Sequence, residues 1–164
     1  MNLEWSVVTD HWQLLAHGVL LTILLTVFPM LIAVPGGIVL ASRRLSRFRI
    51  LSTGSTCFVE FFRNVPIIQV VYWAIYVMPV LTGVGLSPFM TGLVALALNN
   101  SAYNSETFRG GINSIRMGQK EAGLALGMSN AQAFFKIVLP QAWRRVLPVL
   151  ASAWVSLFKD TSLV

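Results

Sequence analysis

Long apolar runs alternate with short basic gaps along this chain, and the runs set its elements. From Leu14 to Ala41 no residue carries a formal charge, a stretch longer than the roughly 20 helical residues that cross a hydrocarbon core. This predicts a first membrane span over 14–41. Pro29, Pro35 and the Gly36-Gly37 pair fall inside it, where neighbouring helices satisfy the backbone groups that proline frees and where a kink is expected. The next apolar run, Leu51 to Leu81, is interrupted by Glu60 and Arg63. Either both charges sit in one long helix, or 52–62 is an interfacial lead-in and the span runs over 65–81. An isolated charge at the bilayer centre costs at least ~2.5 kcal/mol and Pro66 is a natural joint, so the lead-in is favoured. A third span is predicted over 86–108, opened by Ser87-Pro88 and closed by Gly110-Gly111. A fourth, 147–164, begins near Leu147-Pro148. At ~1.5 Å per residue it covers about 25 Å, barely a crossing.

Composition agrees with this all-α, multi-pass reading. Hydrophobic residues make up 55% of the chain and charged residues 11%, against about 25% charged in soluble domains, and the mean hydropathy is +0.71. Lipid is the natural solvent for such a chain. The net charge of +6 does not form a nucleic-acid surface, because the basic residues cluster between the apolar runs. Arg43, Arg44, Arg47 and Arg49 occupy one gap; Arg109, Arg116, Lys120, Lys136, Arg144 and Arg145 occupy another. Cytoplasmic loops are enriched in Lys and Arg, which places both gaps inside and the amino terminus outside. A cleavable signal peptide would carry positive charge ahead of its apolar run, whereas Glu4 and Asp10 precede this one. The lone cysteine, Cys57, has no disulfide or metal-site partner in the sequence and reads as packing.

Between the third and fourth spans lies a polar, glycine-marked segment, 117–142. Gly118 to Met128 is rich in helix formers, and Ser129-Asn130-Ala131-Gln132 has the spacing of a capping box. A second short helix from Asn130 is expected to end before Pro140, whose ring disfavours helical geometry at Leu139. Two short helices at an angle make a projecting knob. By its residues alone it suits either insertion into a groove on a partner or an amphipathic loop lying on lipid headgroups.

The spacing within that segment is specific: Glu121-Ala122-Gly123, three residues to Gly127, nine more to Ile137, then Leu139-Pro140. It resembles the cytoplasmic "EAA" loop of permease subunits in bacterial ATP-binding-cassette importers. Only Gly123, where that pattern has Ala, departs from it; the glycine loosens the helix slightly but removes no contact that a methyl-sized residue could not nearly replace. Val59-Glu60-Phe61-Phe62-Arg63-Asn64-Val65-Pro66, Ala102 to Ile112 with Gly118-Gln119, Leu139-Pro140-Gln141-Ala142 and Lys159 to Val164 extend the resemblance to the polar amino-acid uptake branch. What the resemblance implies is a type I importer permease fold in the bacterial inner membrane, a second permease subunit identical or homologous to this one, and an external solute-binding protein. A polar amino acid is the implied cargo, with acidic amino acids favoured. It implies that Glu121, Ala122, Gly123, Gly127 and Pro140 form the coupling surface for a separate ATPase subunit, with Glu121 as the contacting charge and Gly127 as the turn; an ordinary helix-ending glycine is the plainer reading of Gly127. Family members typically continue past the final Thr-Ser-Leu-Val with another membrane helix, so a chain ending at Val164 is expected to lack that helix.

No Gly-x-x-x-x-Gly-Lys followed by Ser or Thr occurs, so this chain needs no cofactor of its own, and ATP and Mg are expected on the partner ATPase. No enzyme is expected either, because the sequence holds no convergent catalytic set. For the solute path the candidates are Asn99, Asn100, Tyr103 and Glu106 from the third span, spaced to share one helical face, with Lys159 and Asp160 near the outer end of the fourth. Polar groups at membrane depth mark functional routes; the plainer alternative is bonding between helices, worth on average ~0.6 kcal/mol each. Glu60 with Arg63 and Glu106 with Arg109 have the spacing of local, structural ion pairs, and His17 reads as a satisfied helix residue. A secondary transporter or channel without ATP coupling would use the same polar stripe but leaves the knob without a purpose.

Overall fold

The computed structural model describes residues 11–46, 48–83 and 85–163, and within them every regular element is a helix. The arguments drawn from Glu4, Asp10, Arg47 and Val164 fall outside the described residues. Helix α1, Trp12–Arg44, carries Pro29 and Pro35 in its interior. It is followed by α2, Arg49–Asn64, and after a joint at Val65-Pro66 by α3, Ile67–Thr82, which leaves α2 at a bend of 105°. The joint forms where Pro66 forces Val65 out of helical geometry, to φ −91°, ψ 125°. Helix α4, Pro88–Asn113, starts on a Ser87 cap that accepts from the Met90 N–H. Helix α5 is Met117–Ala125. Helix α6, residues 130–160, begins at the cap on Ser129 and ends in a 3-10 turn at Thr161–Leu163.

Two of the helix ends expected from sequence lie elsewhere. Helix α4 does not stop at Gly110-Gly111 but continues to Asn113. Gly111 serves packing instead, because a Cβ there would collide with the Val146 side chain of α6. Helix α6 does not stop before Pro140: Leu139 keeps helical angles, φ −61°, ψ −45°, and the helix also runs through Pro148, so no new helix starts near Leu147-Pro148 as the sequence led one to expect. The reason is a π turn at Phe134–Val138, closed by the Leu139 N–H bonding the Phe134 carbonyl. A proline ring inside a regular helix clashes with the carbonyl four residues back; a wider turn just before it relieves the crowding. Helix α3 repeats the device. Its π turn, Trp73–Val77, is closed by Met78 to Trp73 and comes just before Pro79.

The core forms where α1, α4 and α6 meet, from Met30, Ala33, Ala41, Leu96, Phe108, Val146, Leu150 and Leu157. On α1 the buried Pro29, Ala33, Gly37 and Ala41 follow one another at four-residue spacing and form one stripe. Against this stripe α4 brings Asn104 and Ser105, both fully buried. A Cβ on Gly37 would lie 2.6 Å from Asn104 Cβ and 3.0 Å from the backbone of Asn104 and Ser105. Small residues letting two backbones approach is how helices associate in lipid, where burial of apolar area gives no drive. Among the described residues, α1 alone is long and apolar enough to cross a membrane, and α2 with α3 adds a second if the bent pair is one span.

Candidate coupling hairpin and transport path

The segment 117–142 folds as a helical hairpin whose corner is built from backbone geometry. Helix α5 ends in paired reverse bonds: the Gly127 N–H reaches the Leu124 carbonyl at 3.0 Å and the Met128 N–H reaches the Gly123 carbonyl at 3.1 Å. This pattern requires a left-handed residue after the helix, and Gly127 has φ 81°. Nothing lies within 4 Å of where its Cβ would be, so the need for glycine is conformational rather than steric. The capping box follows at once: the Gln132 N–H donates to Ser129 Oγ at 3.3 Å, and the Ser129 N–H donates to Gln132 Oε1 at 2.9 Å.

Gly123 has the opposite reason. It is buried and helical, and a Cβ would sit 2.6 Å from Ile137 Cδ1 and 3.4 Å from Ala133 Cβ. Gly123 is where α5 presses on α6. The hairpin is also tied back to the rest of the chain. Ile115, Val138 and Ala142 form a small core with Ile112 and Phe134, Gln141 Nε2 donates to Gln119 Oε1 at 3.3 Å, and Arg145 Nη1 donates to the Ser114 carbonyl at 2.6 Å. Glu121, Ala122 and Gly127 are exposed around the corner, while Pro140, also exposed, lies along α6 beside Gln141. Leu126 at the corner is 80% exposed, and Met117, at the other end of α5, 79%.

The solute-path candidates divide into four groups. Asn99 Nδ2 donates to the Phe62 carbonyl at 2.9 Å, and Tyr103 Oη donates to the Arg63 carbonyl at 3.3 Å. Both capture carbonyls that the joint after α2 leaves without helix donors. Asn100 Nδ2 bonds the Leu96 carbonyl of its own helix. Glu106 is held by ion pairs, with Arg109 Nη2 at 2.8 Å, Arg63 Nη1 at 3.8 Å and Arg44 in direct contact. Lys159 is exposed and Asp160 half-buried at the end of α6, apart from the α4 cluster.

The expected pairs Glu60–Arg63, at 3.9 Å, and Glu106–Arg109 both form, but sequence reasoning missed their hub. Arg44, its side chain only 10% exposed, contacts Glu106 and lies 3.7 Å from Glu60. It joins α1, α2 and α4 through one guanidinium, a fork suited to two carboxylates. Its sequence signal was a basic residue closing an apolar helix, which speaks of topology and not of a partner 62 positions away. An apolar cavity of about 570 Å³ lies between α3 and α4, lined by Phe62, Val65, Trp73, Met78 and Leu98 among others. A smaller one of about 380 Å³, with Glu106, Ser114 and Arg145 on its wall, lies between α4 and α6.

The family described as "Binding-protein-dependent transport system inner membrane component" matches residues 33–164. The glutamate/aspartate import permease protein GltK of Escherichia coli O6:H1 is 36% identical over 168 residues, which cover 98% of this chain and 75% of that one. The L-cystine transport system permease protein TcyB of Bacillus subtilis is 34% identical over 162 residues, covering 98% and 69%. Among solved structures, the crystal structure of an amino acid ABC transporter with histidines superposes with a TM-score of 0.92 at 28% identity, covering 99% of this chain and 76% of that one. The inward-facing MetNI methionine ABC transporter superposes at 0.63 with 22% identity, covering 98% and 73%, a likeness of fold alone.

Proposed function

This chain belongs to the family of inner-membrane components of binding-protein-dependent transport systems and is a permease subunit of an ATP-driven importer; from that premise we propose that it carries polar amino acids, acidic ones foremost, and takes its energy through the hairpin 117–142. The observation that carries the coupling role is the hairpin itself. Its corner is set by backbone geometry at Gly127, its two helices are locked at Gly123, and its tip presents Glu121 and Leu126 outward. A rigid protrusion of this kind transmits displacement, which a mobile loop does not, because coupling needs an element that both ends bias between discrete arrangements. The continuous run of α6 from the hairpin to Asp160 supplies the rod.

In this reading the ATPase partner binds ATP and Mg, a second permease subunit completes the path, and an external solute-binding protein delivers cargo. Four spans cross the bilayer, carried by α1, α3, α4 and the second half of α6, with the amino terminus outside. The relatives named for glutamate/aspartate and for L-cystine differ by two percentage points in identity to this chain, so polar amino acids are the class and acidic ones the preference. Asn99, Asn100, Tyr103, Glu106, Lys159 and Asp160 remain the groups offered for the path. Of these, Lys159 and Asp160 are the pair not already engaged with α2 or with α4's own carbonyls and arginines.

The test joins a cross-link to a flux. Leu126→Cys in a Cys57→Ser background, treated with a bifunctional reagent in membranes, is expected to capture an ATPase subunit, and labelled glutamate uptake by the purified complex is expected to require ATP. Capture of lipid alone, or flux that follows an ion gradient without ATP, would overturn the proposal.

A further inference from the structure

Helix α2 has an outer side that the fold leaves bare. Ser55 and Val59 face inward, while two stripes of unlike character run along the outside. Ile50, Gly54, Cys57 and Phe61 are all exposed and follow one another at helical spacing as an apolar stripe. Arg49, Thr53, Glu60 and Asn64, also exposed, make a polar stripe roughly 80° around the helix on average, with Thr53 and Asn64 nearest Cys57. Ile50 is 88% exposed and Phe48, just ahead of the helix, 73%. Arg43, at the end of α1, and Arg49 are exposed as well, and neither forms an ion pair among the described residues.

The bend of 105° between α2 and α3 decides what this side can meet. With α3 crossing the bilayer, α2 lies close to the membrane plane, at the level where Arg44 closes α1. A helix lying flat, apolar along one edge, polar along the next and basic at its start, has the features of an element seated in the headgroup region. Basic residues at that depth draw anionic lipid. We propose that α2 is an anionic-phospholipid-binding element on the inner leaflet, with Ile50 and Cys57 among the upper acyl chains and Arg43 and Arg49 on headgroup phosphates, while Phe61 turns toward the cavity between α3 and α4. The proposal rests on the family reading for the presence of a bilayer. Because Arg44 and Arg63 flank the same segment and hold Glu106, lipid seated here braces the charge network that fastens α1 and α2 to α4.

The chain's single cysteine lies in the apolar stripe and serves as the probe. The full transporter complex is labelled with a nitroxide at Cys57, and separately at Arg49→Cys, ~80° around the helix from Cys57, in a Cys57→Ser background. Both are placed in vesicles of phosphatidylcholine alone or mixed equally with phosphatidylglycerol. The Cys57 label is expected to collide with oxygen in preference to a water-soluble nickel chelate, and the Arg49→Cys label to show the reverse. Replacing Arg43 and Arg49 with Gln is expected to lower the preference for spin-labelled phosphatidylglycerol over phosphatidylcholine, on the order of fivefold per charge. A nickel-accessible Cys57, dipolar contact between two Cys57 labels marking a face between copies, or an unchanged lipid preference would each overturn the proposal. ATP-driven uptake, measured on the same vesicles, tests the transport reading separately: lost uptake beside an immersed Cys57 label counts against transport and leaves the lipid site standing.

Discussion

Gly37 and Gly127 are the same residue used for opposite ends. At Gly37 the neighbours decide: α1 and α4 approach until the backbone of Asn104 and Ser105 fills the place of a side chain. At Gly127 the neighbours are absent, and φ 81° alone decides. The membrane-embedded half of the molecule is held by contact, whereas the hairpin takes its shape from local backbone chemistry, a distinction that substitutions separate.

The largest effect is expected from Gly37→Val. The new methyls meet backbone, which cannot rotate away, so the cost reaches or exceeds the about 1–3 kcal/mol of an overpacked core, and the chain is expected to fail to accumulate as a folded species by gel-filtration fluorescence. Wild-type yield and melting temperature would break the contact half of the comparison. Next is Arg44→Gln, which leaves Glu60 and Glu106 sharing Arg63 and Arg109. Removing one member of a buried ion pair costs ~3–5 kcal/mol, and with two arginines remaining about 2 kcal/mol is expected, read as a lowered melting temperature in detergent. The double change with Glu106→Gln should recover part of it.

Gly127→Val tests the other half. A side chain held in left-handed geometry costs roughly 1–2 kcal/mol, confined to the hairpin. The helices are therefore expected to melt near the wild-type temperature while ATP-driven uptake falls and ATP hydrolysis by the complex persists. Gly127→Asn, which tolerates this conformation better, should lie between; equal uptake in all three proteins would show that the corner's geometry is not used. The smallest effect is expected from Gly123→Ala. The atom in the way is the far end of the Ile137 side chain, which can turn aside, and the gain in helix propensity of about 1 kcal/mol offsets the crowding. A shift in melting temperature near zero is predicted, and a collapse would mean the α5–α6 contact is as unyielding as the one at Gly37.

Much of this was readable from residue order. The uncharged run after Leu14, the joint at Pro66, the Ser87-Pro88 start, the Ser129 cap and the turn at Gly127 each rest on a few consecutive residues, and each stands where the sequence places it. The pairs three apart, Glu60–Arg63 and Glu106–Arg109, were readable for the same reason. The reach of Asn99 to the Phe62 carbonyl and of Arg44 to Glu106 was not, because each joins positions 37 or 62 apart that only helix packing brings together.

Sequence alone determined that this chain is helical and apolar, where α4 and α6 are capped at Ser87 and Ser129, and that a glycine-cornered hairpin interrupts its helices, since capping, turn and hydropathy act between near neighbours. Tertiary structure decided that Gly111 and Gly123 are points of contact rather than breaks, and that one arginine binds three helices. Those outcomes depend on which surfaces meet across space, and a glycine takes its meaning from the room left around it.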